Sequence, residues 1–420
     1  MTSTNRFKDK LIKIFVPSIF YALPPISLIF LFFYFHSFAP FFTPFTHHSS
    51  LYVSKPKEKE NPNWNTCDYS NGTWIHDNRT HLYNGTTCKI KESQNCIFNG
   101  RLNSSYLHWR WKPSECHLPI FEPNTFLKLI NNMHIAFVGD SLARNQIDSL
   151  ICLLSTTSKP KRVYHQGSRK WYFGTHNANL SFYWSPFLVK GDQRKSKGPN
   201  YNKIYLDHVN ERWARDIDQM DLIVLSFGHW FMVPSIYYEG DYVIGCLKCH
   251  DLKFNYTDIG FYVPMRKALR TTINSIIERK VSKGNGIDVI VRTFSPSHFE
   301  GDWDKGGTCS KNEPYGNEEK KLEGVDAHIR SIQIEELKNS KRKAKELGLN
   351  FEVLDITKLA LLRPDGHVGA YINPFPFANG IPKHVQNDCV HWCLPGTVDT
   401  WNEIFLEIMK KRKDHSQVEK

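Results

Sequence analysis

The stretch His134 to Gln146, HIAFVGDSLARNQ, sets the tightest limit on the fold. His134 to Val138 form a short apolar run with the length and β-branched character of a buried strand, and Gly139-Asp140 breaks it. Beyond the break, Ile147, Leu150, Ile151 and Leu154 recur at the spacing that puts apolar side chains on one helix face. Ser141 therefore stands between a strand end and a helix N-terminus, near free backbone N–H groups that can hold a developing oxyanion. That is a nucleophile's position. An ordinary turn with a helix-capping serine fits the same tripeptide, so the rest of the chain must decide.

The same alternation continues downstream. Leu222–Ser226, Ile287–Thr293 and Phe351–Leu354 are further short apolar runs bounded by polar or Gly residues. Between them, Met265 to Lys280 puts Leu269, Ile273, Ile276 and Ile277 on one helix face. Glu318 to Leu347 does the same with Leu322, Val325, Ile329 and Ile332. Strand, helix, strand in succession predicts an α/β fold, a three-layer αβα arrangement around a mainly parallel sheet. In such sheets the ligand crevice lies beyond the carboxyl ends of the strands, where Ser141 follows.

The N-terminal part has a different character. Arg6, Lys8, Lys10 and Lys13 precede a segment without Lys, Arg, Asp or Glu until Lys55. Its core, residues 14–35, is long enough to cross a bilayer. It exceeds a usual signal-peptide core and no clear small-x-small cleavage site follows, so a type II signal anchor with a cytoplasmic tail at 1–13 is expected. Residues 36–65 are rich in Pro, Ser, Thr and Lys-Glu repeats and read as an exposed stem. A loop-rich region at 66–118 carries four cysteines and is too short to be stable without disulfides.

Ten cysteines and six Asn-x-Ser/Thr acceptors, at Asn71, Asn78, Asn84, Asn103, Asn179 and Asn255, fit an oxidising lumen. In that setting the formal charge of +12 does not point to nucleic acid. A polyanion, an anionic donor or simple solubility accounts for it.

The last segment carries a second constellation, Asn387 to Gly396, NDCVHWCLPG. Asp388 and His391 are three residues apart, so a helical turn would set them on one face, the carboxylate orienting the imidazole. Cys389 and Cys393, if disulfide-bonded, would hold that geometry rigid. A structural His beside a capping Asp and a Cys/His zinc site are the competing readings; a lumen that oxidises thiols argues against zinc, and no metal site is expected. Cys246 and Cys249, beside His250, fit a local disulfide, a redox pair or metal ligands. Val398, Trp401, Phe405 and Ile408 predict a final amphipathic helix before a basic tail at 412–420.

Taken together, Phe137 to Ser141 with Arg144-Asn145, then Gly228-His229-Trp230, and finally Asp388 to Gly396 resemble the plant trichome birefringence-like family of polysaccharide O-acetyltransferases. The resemblance covers 66–118 as that family's cysteine-rich N-terminal domain and 119–411 as its esterase-like domain of the GDSL/SGNH type. It implies a Golgi enzyme with Ser141 as nucleophile, His391 as general base and then acid, and Asp388 orienting His391. It makes Gly139, Asp140, Arg144, Asn145, Gly228, His229 and Trp230 the residues lining the oxyanion and substrate positions, with the N–H groups of Ser141 and Gly228 as oxyanion donors. Many members carry Asn where this chain has Ser226, so a side-chain amide donor there cannot be carried over. The resemblance also implies the pairs Cys67–Cys116, Cys88–Cys152, Cys96–Cys393 and Cys309–Cys389, with Cys246 and Cys249 left to each other.

Trp171 to Gly174, Tyr183 to Phe187 and Arg292 to Pro296 resemble most the branch that acetylates xyloglucan side chains. Trp171, Trp184 and Trp230 suit sugar stacking, and each fits core packing as well. His229 and His298 fit either site-lining or buried, satisfied roles. No phosphate-binding Gly-rich loop is evident, so no bound cofactor is expected. The acetyl group would come from acetyl-CoA or from a partner membrane protein. Xylan, mannan or pectin as acceptor, an acetylesterase of the same fold, and a non-catalytic wall-polysaccharide-binding protein are the alternatives.

Overall fold

The computed structural model describes residues 67–165, 168–195, 197–282, 287–303, 305–381 and 384–418. The expected tail at 1–13, anchor at 14–35 and stem at 36–65 lie outside the described residues. Among those that are described, no helix is long and apolar enough to cross a membrane.

Two antiparallel strands, β1 (Gly72–His76) and β2 (Trp109–Pro113), open the chain. The next strand, β3 (His134–Gly139), is buried along its whole length. It is the middle strand of a seven-stranded sheet built with β4 (Lys161–His165), β5 (Ser168–Phe173), β6 (Ala178–Trp184), β9 (Leu222–Ser226), β12 (Asp288–Arg292) and β13 (Phe351–Leu354), in the order β13-β12-β9-β3-β6-β5-β4. The five strands from β13 to β6 are parallel; β5 and β4 are added antiparallel at one edge.

Alternation along β3 assigns its side chains to two cores. Ile135 and Phe137 pack with α1 (Pro123–Leu129), α2 (Ser141–Ser155) and α5 (Thr397–Val418). Ala136 and Val138 pack on the opposite face with α3 (Tyr262–Val281) and α4 (Gly324–Glu346). The expected helices are thus present, though α4 starts only at Gly324, which leaves Leu322 before it, and Val325 in its first turn is exposed, not part of its buried face.

From β3 the chain moves to β6 on one side, and from β9 it moves through β12 to β13 on the other. The order therefore reverses at β3, the place where an α/β sheet opens a crevice. A second, four-stranded sheet, in the order β11-β10-β8-β7, flanks this side: β7 (Val189–Asp192), β8 (Asn202–Val209), β10 (Ser235–Glu239) and β11 (Tyr242–Leu247).

The cysteine-rich segment shares the main core. Trp74, Tyr83 and Trp111 pack among residues of α2 and α5, and the Trp74 Nε1–H donates to Leu359 O at 2.9 Å. Disulfides join Cys67 to Cys116, Cys88 to Cys152, Cys96 to Cys393, Cys309 to Cys389 and Cys246 to Cys249. These are the pairs that the resemblance implies. Of the sequon asparagines, Asn179 is half-buried inside β6 while the other five are exposed.

Candidate active site

Ser141 is the first residue of α2, so its N–H has no carbonyl one turn earlier to bond. The helix is capped by Asp140, not by the serine: Asp140 Oδ1 accepts the Leu142 N–H at 2.9 Å. Asp140 Oδ2 is buried without a hydrogen-bond partner among the described residues. Gly139 is required by close approach, since a Cβ there would lie 1.8 Å from Ser226 O. The ends of β3 and β9 thereby meet under the serine.

The Asp388/His391 pair forms, but not on a helix. Asp388 to Trp392 is a strand, β15, paired irregularly with β14 (His367–Gly369). The contact across three residues arises because Asp388 folds back on its own backbone: Oδ1 accepts the N–H groups of Val390 at 3.1 Å and His391 at 2.9 Å. Its Oδ2 meets His391 Nδ1 at 2.7 Å. Burial opposes the charge on Asp388, yet these bonds and the imidazole hold its carboxyl well below the usual range. A carboxylate acceptor on Nδ1 keeps the ring proton there and leaves Nε2 to act as base. His391 Nε2 is buried and has no partner among the described residues, so no hydrogen bond yet joins it to Ser141 Oγ.

What ties the strand bearing His391 to the helix that begins at Ser141 is Asn145, one turn along α2. Its Oδ1 accepts the Trp392 N–H at 2.8 Å and its Nδ2 donates to Trp392 O at 3.3 Å. Both amide atoms of Asn145 thus engage the residue after His391, and its Nδ2 carries a second N–H beyond this bond. Two disulfides, at Cys389 and Cys393, fix the same strand on either side of His391, and Cys thiolates for zinc are absent there. Among the described residues no cluster of His, Cys, Asp or Glu has the form of a metal site.

Ser226, at the position of the missing amide, is fully buried and its Oγ accepts from the Arg292 guanidinium. Arg292 is itself buried beside the Trp401 ring, and burial lowers it to about 10 against the field of Asp140. Arg144 is likewise lowered by burial, opposed by Asp148, Asp140 and Asp388, which places its charge beside the motif. Gly228 bends the chain after β9 where a Cβ would come within 2.5 Å of Phe294. His229 then turns inward to Ser295 O at 2.9 Å, and burial lowers its pKa. This bond satisfies one ring nitrogen of a half-buried His229. His298 is half-buried, its Nδ1 2.7 Å from His367 Nε2, and His367 Nδ1 lies 3.0 Å from His391 O.

Trp171 belongs to the core, whereas Trp184 and Trp230 are half-buried and meet edge-on with centroids 5.8 Å apart. Trp230 opens an apolar pocket of 270 Å³ with His229, Met232, Phe299, Trp303 and Val390, the neighbour of His391. The Arg292–Ser226 bond and the His298–His367 pair are announced by no motif, because the partners are far away in sequence. The one local signal for Arg292 is a charge directly after the apolar run Val289 to Val291.

Residues 118–408 match the GDSL/SGNH-like acyl-esterase family found in Pmr5 and Cas1p, and residues 65–117 match the PMR5 N-terminal domain. The chain belongs to this acyl-esterase family. Among its relatives, xyloglucan O-acetyltransferase 1 of Populus trichocarpa is 54% identical over 409 residues, covering 96% of this chain and 94% of that one. Xyloglucan O-acetyltransferase 1 of Arabidopsis thaliana is 49% identical over 353 residues, covering 83% and 81%. Protein trichome birefringence-like 20 of Arabidopsis thaliana is 40% identical over 356 residues, covering 82% and 72%. The acyl-esterase match and these plant relatives establish the trichome birefringence-like membership that the motifs suggest.

Proposed function

We propose that the protein is an O-acetyltransferase that moves an acetyl group from an activated donor to a hydroxyl of a cell-wall polysaccharide, with xyloglucan side-chain sugars as acceptor. The Asp388–His391 pair at 2.7 Å, tied by Asn145 to the helix that begins at Ser141, carries this reading. The names of the relatives supply the acceptor.

Ser141 Oγ attacks the acetyl carbonyl while His391 Nε2 takes its proton, and Asp388 stabilises the imidazolium that forms. The N–H groups of Ser141 and Gly228 hold the oxyanion. The leaving group departs with the proton from His391, and the acetyl remains on Ser141. A sugar hydroxyl then attacks this ester, His391 takes the hydroxyl proton, and that proton returns to Ser141 Oγ as the acetylated sugar leaves. The burial of His391 Nε2 supports a site from which water is kept away during the second step.

The donor is acetyl-CoA or an acetyl group delivered by a membrane partner. In this reading residues 14–35 anchor the chain in the Golgi membrane, with the site lumenal and the exposed sequons glycosylated. The test incubates the protein with a small activated acetyl ester and xyloglucan oligosaccharides, against Ser141→Ala, and reads acetyl gain by mass spectrometry. Serine-dependent acetylation of the sugar is the expected result. Free acetate with no sugar product would make it an esterase, and no serine-dependent turnover would make it a binding protein.

A further inference from the structure

A groove of about 1110 Å³ runs from Trp184 between the second sheet and α3. It exceeds the roughly 300–1,000 Å³ of sites that enclose one small ligand, and it is open, as an extended chain requires. Its cations are Lys190, Arg194, Lys195 and Arg212. Its carboxylates are Asp192, Asp207, Glu211 and Glu278. Four of each sign cancel, on a chain whose net charge is +12. An acidic polymer gains nothing from such a lining. A neutral polymer rich in hydroxyls finds donors and acceptors there, with Gln193, Asn210 and Asn274 adding amide groups.

The groove is continuous with the candidate active site. Trp184 is the register partner of Gly139 on the neighbouring strand, two residues before Ser141. Its ring meets Trp230, which lines the apolar pocket beside Val390, and Arg194 lines both groove and pocket. An aromatic face at the junction suits the C–H face of a sugar ring.

We infer that this groove binds a stretch of the neutral main chain of the acceptor polysaccharide, several sugars away from the hydroxyl that is acetylated. The inference rests on the acetyltransferase reading for its acceptor class. It makes affinity depend on acceptor length, because a short oligosaccharide fills only the pocket.

The experiment measures KM for xyloglucan oligosaccharides of one and of three repeats, with the full chain and with Asn274→Trp. Asn274 is exposed on α3, and the larger side chain fills the groove without touching the core. The full chain is expected to show a KM roughly tenfold lower for the longer acceptor, equivalent to about 1.4 kcal/mol. In Asn274→Trp the two values converge. Equal KM values in the full chain, or an unchanged ratio in the variant, overturn the groove while leaving acetyl transfer standing. If no acceptor is acetylated, the acetyltransferase reading falls, and direct titration of the Ser141→Ala chain with the three-repeat oligosaccharide judges the groove alone. Binding that Asn274→Trp abolishes supports it; no binding, or tighter binding of polygalacturonate, overturns it.

Discussion

Truncating Asn145 to alanine removes both bonds that tie α2 to the backbone of Trp392. A buried N–H and a buried C=O are then left without partners. Each orphan costs about 1–3 kcal/mol, and the 3.3 Å bond is the weaker of the two, so a total loss of about 2–4 kcal/mol is expected. At roughly 2–4 °C per kcal/mol, Tm falls by roughly 4–16 °C. The positioning effect is separate. His391 immediately precedes the freed residue, and a shift of about 1 Å at a catalytic base costs on the order of 10²-fold in rate. The assay is serine-dependent turnover of a small acetyl ester, run well below the variant's Tm, with kcat and KM separated. A kcat loss near that size with KM nearly unchanged is expected. Asn145→Asp keeps the acceptor for the Trp392 N–H but sets an oxygen against Trp392 O, and should fall between. If Asn145→Ala lowers Tm yet keeps kcat within about twofold, the clamp is structural only and the positioning argument is refuted.

Three further outcomes are expected. Asp388→Asn puts an N–H against His391 Nδ1 and reverses the ring tautomer, so serine-dependent kcat should fall on the order of 10⁴-fold, checked by steady-state kinetics; a loss under tenfold would contradict the role of Asp388. Gly228→Ala forces a Cβ to 2.5 Å from Phe294, which displaces the proposed oxyanion donor and should lower kcat about 10²-fold with little change in far-UV circular dichroism. Glu403 is buried near Arg79, Asp399 and His81, and burial raises it to about 7. Its neutral form is the one favoured by folding, so its contribution is full below the unfolded carboxyl value of about 4.3 and is lost as pH rises through 7, on the order of 3 kcal/mol in all. Glu403→Gln should flatten the fall of Tm across that window, and an unchanged slope would exclude Glu403 as its source.

Of the parallel strands, β3, β9 and β12 were legible because each is buried along its whole length, as in Leu222–Ser226. β13 was legible despite exposed Glu352, whereas β6 was missed because Asn179 and Ser181 interrupt its apolar run. The second sheet was not legible, because its strands are half-polar: in β8, buried Ile204 and Leu206 alternate with Lys203, Tyr205 and Asp207. The spacing of Asp388 and His391 pointed to a real contact but to the wrong local structure. A carboxylate that caps its own backbone brings the third residue back as effectively as a helical turn does. Asn145 stood in plain view beside Ser141, yet its partner lies 247 residues away, and nothing local announces such a bond.

The link between Cys96 and Cys393 spans 297 residues, and this imposes an order on assembly. At about 5–20 residues per second a ribosome needs roughly 15–60 s to reach the second cysteine after the first. During that wait Cys67 and Cys116 can close, while the Cys96 thiol must stay unpaired among nearer partners. The strand that bears His391 is therefore among the last parts to be secured, and a chain cut short before its final thirty or so residues lacks both His391 and α5, the helix that packs in one core with the helix of Ser141.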